Sequence, residues 1–297
     1  MEITRSRPTL FSDIAHGLGF WTDRSALHYA AAHGDVPQLQ KLLKEGAAVN
    51  MVAMDSITPL HEACIQGHSQ CARLLLDAGA HVDARNIDGS TPLCDACAAG
   101  SLECVQLLLE RGAMVNPPLF TFSPLHEACM GGNSECVKLM ISEGASMEAH
   151  DCHYGTPLHV ACARQHKDCA KVLLNAGANV NAAKLHETAL HHAAKVNNVE
   201  LIEMLMEFGG KVYARDNMGK KPIQYARPGS STALCLSFYE TTPLSLQQLS
   251  RITLRLHLGQ RALEAVSQLD LPPRIISFLC YAPQSALDID DGDDDDS

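Results

Sequence analysis

A four-residue word recurs along this chain at a near-constant interval, and that interval constrains the fold more than any other feature. SALH, TPLH, TPLC, SPLH, TPLH, TALH and KPIQ begin at residues 25, 58, 91, 123, 156, 188 and 221, with spacings of 33, 33, 32, 33, 32 and 33. A second marker keeps step with it. Gly46, Gly79, Gly112, Gly144, Gly177 and Gly209 each close an apolar run such as CARLLLDAG. Two unrelated markers locked to one period define a structural repeat.

The residues of one unit predict its local structure. Thr58 supplies a hydroxyl to cap a helix, and Pro59 suits the first turn, where a backbone amide has no partner. Leu60, Ala63 and Cys64 then share one face at helical spacing. Leu74, Leu75 and Leu76 fill a second helix, which Gly79 ends by tolerating a left-handed backbone. The stretch AHVDARNIDG leads as an extended turn to the next unit. A lone helix pair cannot bury its apolar face, so the units must stack. The expected fold is an all-α solenoid of helix-turn-helix units with projecting β-turns.

Composition excludes several function classes. The chain has 297 residues and a formal charge of −11, but seven of its acidic groups lie in the last sixteen positions, 282–297. The remainder carries 23 basic against 27 acidic residues, too even a balance to mark a nucleic-acid surface. The tail reads as a disordered acidic end, dispensable for folding. No window approaches the length of apolar chain that membrane insertion requires, and the N-terminus lacks a signal-peptide core. These features point to a cytoplasmic protein, with the nucleus also open.

Twelve cysteines raise the question of metal or disulfides. Cys64, Cys97, Cys129 and Cys162 recur in first helices, and Cys71, Cys104, Cys136 and Cys169 in second helices, so they read as small buried hydrophobes. Cys94 and Cys97 form a C-x-x-C without the second pair of a zinc site. HEAC at 61 and 126 lacks the second histidine of a zinc-protease motif. No nucleophile elbow and no phosphate loop is present. The chain is therefore read as non-catalytic, with no cofactor and no metal.

The word, its period and the closing glycines closely resemble the ankyrin repeat over residues 21–226, six full units and a degenerate seventh. By that resemblance His28, His61, His126, His159 and His191 hydrogen-bond the neighbouring turn, and the turns before each word bind other proteins. Most turns here are polar, as at Asp88-Gly89. Two differ: NPPLFTFSPL carries Phe120 and Phe122, and DCHYG carries His153 and Tyr154. These four are the candidate contacts for a target protein, since exposed aromatics dominate interfaces. The alternative is that Phe120 or Phe122 folds inward to fill the space of a deleted residue.

The pattern fails after Tyr225. Residues 227–241 read as a linker and a degenerate closing helix, and 1–20 as a leader or cap. Residues 242–281 form a different unit, TPLSLQQLSRITLRLHLGQRALEAVSQLDLPPRIISFLCY. Leu246, Leu249, Thr253 and Leu254 make one helical stripe, and Ile252 with Leu256 a second. A helix apolar on two faces must bury both, and some forty residues seldom form a sufficient core alone, so a partner is implied.

This segment resembles the SOCS box, a small three-helix unit, and the whole chain resembles the ankyrin repeat and SOCS box family. The resemblance implies a substrate-recognition subunit of a ubiquitin ligase, built with elongin B, elongin C and cullin-5 with its RING subunit. It assigns elongin C binding to Ser245, Leu246, Leu249, Ser250 and Leu254, with Ser250 in place of the usual cysteine. It assigns cullin selection to Leu269, Asp270, Leu271 and Pro272, where Asp270 replaces the first proline of the family's L-P-x-P element. A second reading is an ankyrin scaffold or inhibitor whose box has lost elongin binding.

Overall fold

The structure, a computed structural model, describes residues 24–118, 123–151, 153–258, 265, 266 and 268–280. The leader at 1–20 and the acidic tail lie outside the described residues. Six helix pairs follow one another: α1 (Ala26–Ala32) with α2 (Val36–Lys44), α3 (Pro59–Ile65) with α4 (Ser69–Asp77), and α5 (Pro92–Ala99) with α6 (Leu102–Glu110). Then come α7 (Pro124–Gly131) with α8 (Ser134–Ser142), α9 (Pro157–Ala163) with α10 (Lys167–Asn175), and α11 (Ala189–Lys195) with α12 (Val199–Glu207). Odd-numbered helices pack on their odd neighbours and even on even, so the stack has two layers.

Equivalent residues build the core between these layers. Leu60, Leu93, Leu125, Leu158 and Leu190 are each at most 1% exposed. Ala63, Ala96, Ala128, Ala161 and Ala193 sit beside them at full burial, where a small side chain lets the helices approach. The eight repeat-locked cysteines are buried and unbridged. The closing glycines are needed for their backbone: Gly79 has φ 89° and Gly177 φ 95°, both left-handed.

A single hydrogen-bond device ties each first helix to the next unit. At α3, the His61 Nδ1 accepts from the Thr58 amide at 3.1 Å and from the Thr58 hydroxyl at 2.8 Å. Accepting there leaves the proton on Nε2, which donates to the Ser90 carbonyl at 3.3 Å. The pattern repeats from His28 to Ile57, His126 to Gly155, His159 to Glu187 and His191 to Lys220. Cys94 stands at this position in the third unit, where it accepts from the Thr91 hydroxyl at 3.5 Å.

A second device stitches the outer loops. Asn50 donates to the Gly79 carbonyl at 3.0 Å and accepts from the His81 amide at 2.8 Å. Asn116 does the same with Gly144 and Ser146, and Asn181 with Gly209 and Lys211.

The stack carries one β element among the described residues. Ala183–Lys184 (β1) pairs antiparallel with Glu187–Thr188 (β2). Leu185 and His186 join them with φ 48° and 68°, left-handed values that two-residue hairpins require and that Leu seldom adopts. The seventh unit opens with a 3-10 turn, Pro222–Tyr225, where the Gln224 side chain accepts from the Lys221 amide at 2.8 Å in the manner of the missing histidine. Residues 227–241 hold helix α13 (Ser231–Thr241), capped by Ser230 and packed on α12. Beyond it lie α14 (Leu246–Leu258) and α15 (Pro273–Leu279). Residues 259–264, between those two helices of the expected three, fall outside the described residues.

Candidate functional site

Helix α14 starts on a capping box. The Ser245 hydroxyl accepts from the Gln248 amide at 3.2 Å, and the Gln248 side chain accepts from the Ser245 amide at 3.0 Å. This fixes the first turn and presents Leu246 at its head. Leu246 is 83% exposed and Leu249 45%. Ser250 and Thr253 share that exposed face. A contiguous apolar surface of this kind on a helix marks a protein contact.

Of the expected stripe, Leu246, Leu249 and Thr253 are exposed. Leu254 is half-buried, and Leu256 is exposed at the edge of the helix that borders the stack. On the opposite face Arg251 and Arg255 point inward, 7% and 8% exposed. An apolar count treats these two arginines as solvent-facing.

Ser250 is already satisfied. Its hydroxyl donates to the Leu246 carbonyl at 2.8 Å, one turn earlier in the same helix. A hydroxyl bonded in this way carries little desolvation cost against an apolar partner.

The second expected element lies on the surface. Leu269 is 42% exposed, Asp270 and Pro272 are exposed, and Leu271 is half-buried. The Leu271 amide donates to the Leu269 carbonyl at 2.8 Å, and Pro272 and Pro273 then open α15. The segment is a proline-led entry to α15.

The candidate target surface is only partly described. Phe120 and Phe122 lie outside the described residues. His153 is exposed at its turn, but Tyr154 is half-buried, packed on the core, with the Arg164 guanidinium 5.8 Å from its ring centre. The Asp151 side chain folds this turn by accepting from the His153 amide at 3.1 Å and the Gly155 amide at 2.8 Å.

Sequence reading missed other turn tips. Met54 is 85% exposed, Ile87 73%, Leu185 69% and Met218 68%. All four lie three or four residues before a repeat word, which was the available signal.

No catalytic arrangement stands out among the described residues. Burial pushes the His61 and His159 imidazoles down to about 4, and His192 to about 3, so they stay neutral structural groups. Burial likewise raises the Cys94 and Cys162 thiols to about 12. Cys104 moves the other way, to about 7, because of its hydrogen bond with Cys64, but both side chains are fully buried. No group of three or more His, Cys, Asp or Glu among the described residues could hold a metal ion, and no described helix is long and apolar enough to cross a membrane.

Known proteins show the same two-part plan. Ankyrin-repeat models match residues 27–118, 114–184 and 158–226, and a SOCS box model matches 242–280. Ankyrin repeat and SOCS box protein 13 of Mus musculus is 75% identical over 264 residues, 89% of this chain and 95% of the relative. Its Homo sapiens counterpart is 74% identical over 264 residues, with the same coverage. Ankyrin repeat and SOCS box protein 5 of Homo sapiens is 45% identical over 271 residues, 91% of this chain and 82% of the relative. The crystal structure of the human ASB11 ankyrin repeat domain matches with a TM-score of 0.71 at 40% identity, covering 74% of this chain and all of that one. With the repeats, the box and these relatives in register along most of its length, the chain belongs to the ankyrin repeat and SOCS box family.

Proposed function

We propose that this protein is a non-catalytic substrate adaptor of an elongin B/C–cullin-5–RING ubiquitin ligase. The observation that carries the reading is the outward face of α14, where Leu246 and Leu249 stand in solvent on a helix whose opposite face carries two buried arginines. Such a face needs a cover, and an elongin C pocket is the cover that the SOCS box implies. The surface segment Leu269–Pro272 would meet cullin-5. The ankyrin turns would hold the target, with Phe120, Phe122, His153 and Tyr154 as the candidate contacts. Met54, Ile87, Leu185 and Met218 are further exposed apolar side chains on the turns before the repeat words.

The protein would accelerate ubiquitin transfer by proximity alone, holding a target lysine near a separately bound conjugating enzyme. Its place of action would be the cytoplasm or nucleus, where its buried thiols stay reduced. Co-expression with elongins B and C tests the reading. A stable complex that co-elutes with the full chain supports it. Failure to co-elute leaves an ankyrin scaffold and ends the ligase assignment.

A further inference from the structure

One side chain hydrogen-bonds to both parts of the molecule. Arg255 lies on the inward face of α14 and is 8% exposed. Its Nη2 donates to the Leu174 carbonyl at 3.3 Å and to the Asn175 carbonyl at 3.0 Å, the last two carbonyls of α10 in the stack. Its Nη1 donates to the Leu279 carbonyl at 3.4 Å, at the end of α15 in the box. One guanidinium therefore serves two helix C-termini, drawn from parts of the chain 81 and 24 residues away. Helix ends leave such carbonyls without partners inside the helix, and the negative end of each dipole attracts a cation. The same guanidinium lies 5.2 Å from the ring centre of Phe208, at the C-terminus of α12.

Arg251, one turn earlier, is buried to the same degree and contacts Phe278 of the box. It donates to the Phe278 carbonyl at 3.4 Å and lies 4.5 Å from the Phe278 ring centre. Arg251 holds α15 to α14, whereas Arg255 holds both to the stack.

Packing at this joint is incomplete. A cleft of about 160 Å³ remains, bounded by Leu174, Val180, Phe208, Ile252 and Leu256 together with Arg255 itself. Ile252 reaches the stack at Gly209, where an added Cβ would come within 2.9 Å of it. Apolar contact is non-directional and leaves the angle between two bodies loosely set where a void lies between them. Hydrogen bonds from a planar, forked group set direction as well as distance. A lysine is a point charge and cannot reproduce a fork aimed at two helix ends.

We propose that Arg255 is a positioning residue that sets the angle of the box on the ankyrin stack. The stack and box then move as one body, and the outward face of α14 keeps a fixed direction relative to the turn tips. The mechanical claim stands on the contacts of Arg255. Its consequence for ubiquitin transfer, a constant reach from target to ligase, rests on the adaptor reading above.

The experiment uses the full chain without elongins, so its result does not depend on whether elongins bind. Two fluorophores are introduced through unnatural amino acids at exposed Gln106 on α6 and exposed Gln247 on α14, and single-molecule energy transfer reads their distance distribution. The parent chain is expected to give one narrow peak. Arg255→Met, which keeps length and apolar volume, is expected to lose that peak to a broad distribution while the stack's melting transition, followed by far-ultraviolet dichroism, persists. Arg255→Lys is expected to broaden it too. Arg251→Met is expected to keep the peak, since its Phe278 contact lies inside the box.

A narrow peak retained in Arg255→Met, or restored in Arg255→Lys, would overturn the proposal. So would loss of the stack's transition together with the peak in both Arg255 variants, which would make Arg255 part of the stack's core.

Discussion

Leu60 and Leu246 are the same residue type at nearly the same helix position, the second residue of α3 and the first of α14. One is 1% exposed and the other 83%. The stack turns its leucines inward because every unit has a neighbour to cover it. The box leaves Leu246 and Leu249 outward, while two arginines occupy the inward face of the same helix. Apolar residues therefore hold the stack together in one region and offer a docking face in the other. Mutations in the two regions should separate stability from binding, and each of the following measurements can break that division.

The largest expected effect is that of acid on the stack. The cap histidines are neutral in the fold, and burial is the leading cause of their lowered pKa values, with His61 and His159 near about 4. An unfolded histidine titrates near 6.5, so between pH 6.5 and about 4 the unfolded chain binds more protons than the folded one. Their contribution is fully present above pH 6.5 and is lost as pH falls toward 4. Each such histidine changes stability by at most about 1.4 kcal/mol per pH unit, and several act together. Glu62 opposes them, since burial raises its pKa against the lowering influence of Arg24. Thermal melts of the full chain should show the helical transition dropping steeply from pH 7 to pH 4.5. A flat profile would break the assignment of neutral, stabilising histidines.

A single core truncation comes next. Leu60→Ala deletes a fully enclosed side chain and should destabilise the stack by about 2–5 kcal/mol. Denaturant unfolding at pH 7 reads the change. Leu246→Ala should leave that midpoint where it was, and a matching loss in the two variants would erase the distinction between the regions.

Binding reverses the ranking. Burying a Leu is worth about 1.5–3 kcal/mol, so Leu246→Ala should weaken elongin B/C capture by roughly 10- to 100-fold. Calorimetry with purified elongins checks it. Unchanged affinity would remove Leu246 from the interface.

The stack was legible because its information is local and repeated. One period, one capping word and one closing glycine fixed six helix pairs, and the histidine ties followed from the family resemblance. What escaped was carried by single polar contacts. Asn50, Asn116 and Asn181 stitch successive loops and do follow the period, each after a valine at 49, 115 and 180, but a search for chemistry passes over a loop asparagine. Arg255 follows no period. It bonds to carbonyls 80 and 81 residues away, and no local pattern marks such a contact. The candidate turn at 151–155 was half legible. Its exposed His153 fits the expectation, but Tyr154 packs against the core and Arg164, a tertiary contact that composition does not encode.

The smallest expected effect concerns Ser250, and it sharpens what outward-facing means. Read from sequence, a hydroxyl in place of cysteine at an elongin-facing position should weaken binding, because burying it loses water as a partner. The structure supplies that partner within the helix, the Leu246 carbonyl at 2.8 Å. A hydroxyl bonded to its own helix keeps its hydrogen bond when a protein covers it, so the difference from a thiol reduces to a small change in size and polarity. Ser250→Cys should therefore change elongin affinity by less than about threefold, under roughly 0.7 kcal/mol. The melting temperature should hold as well, since serine back-bonding only slightly disfavours a helix. Calorimetry of the two forms with elongins B and C decides. A gain of tenfold or more for the cysteine form would show that the carbonyl bond is broken on docking, and that Ser250 hinders the complex.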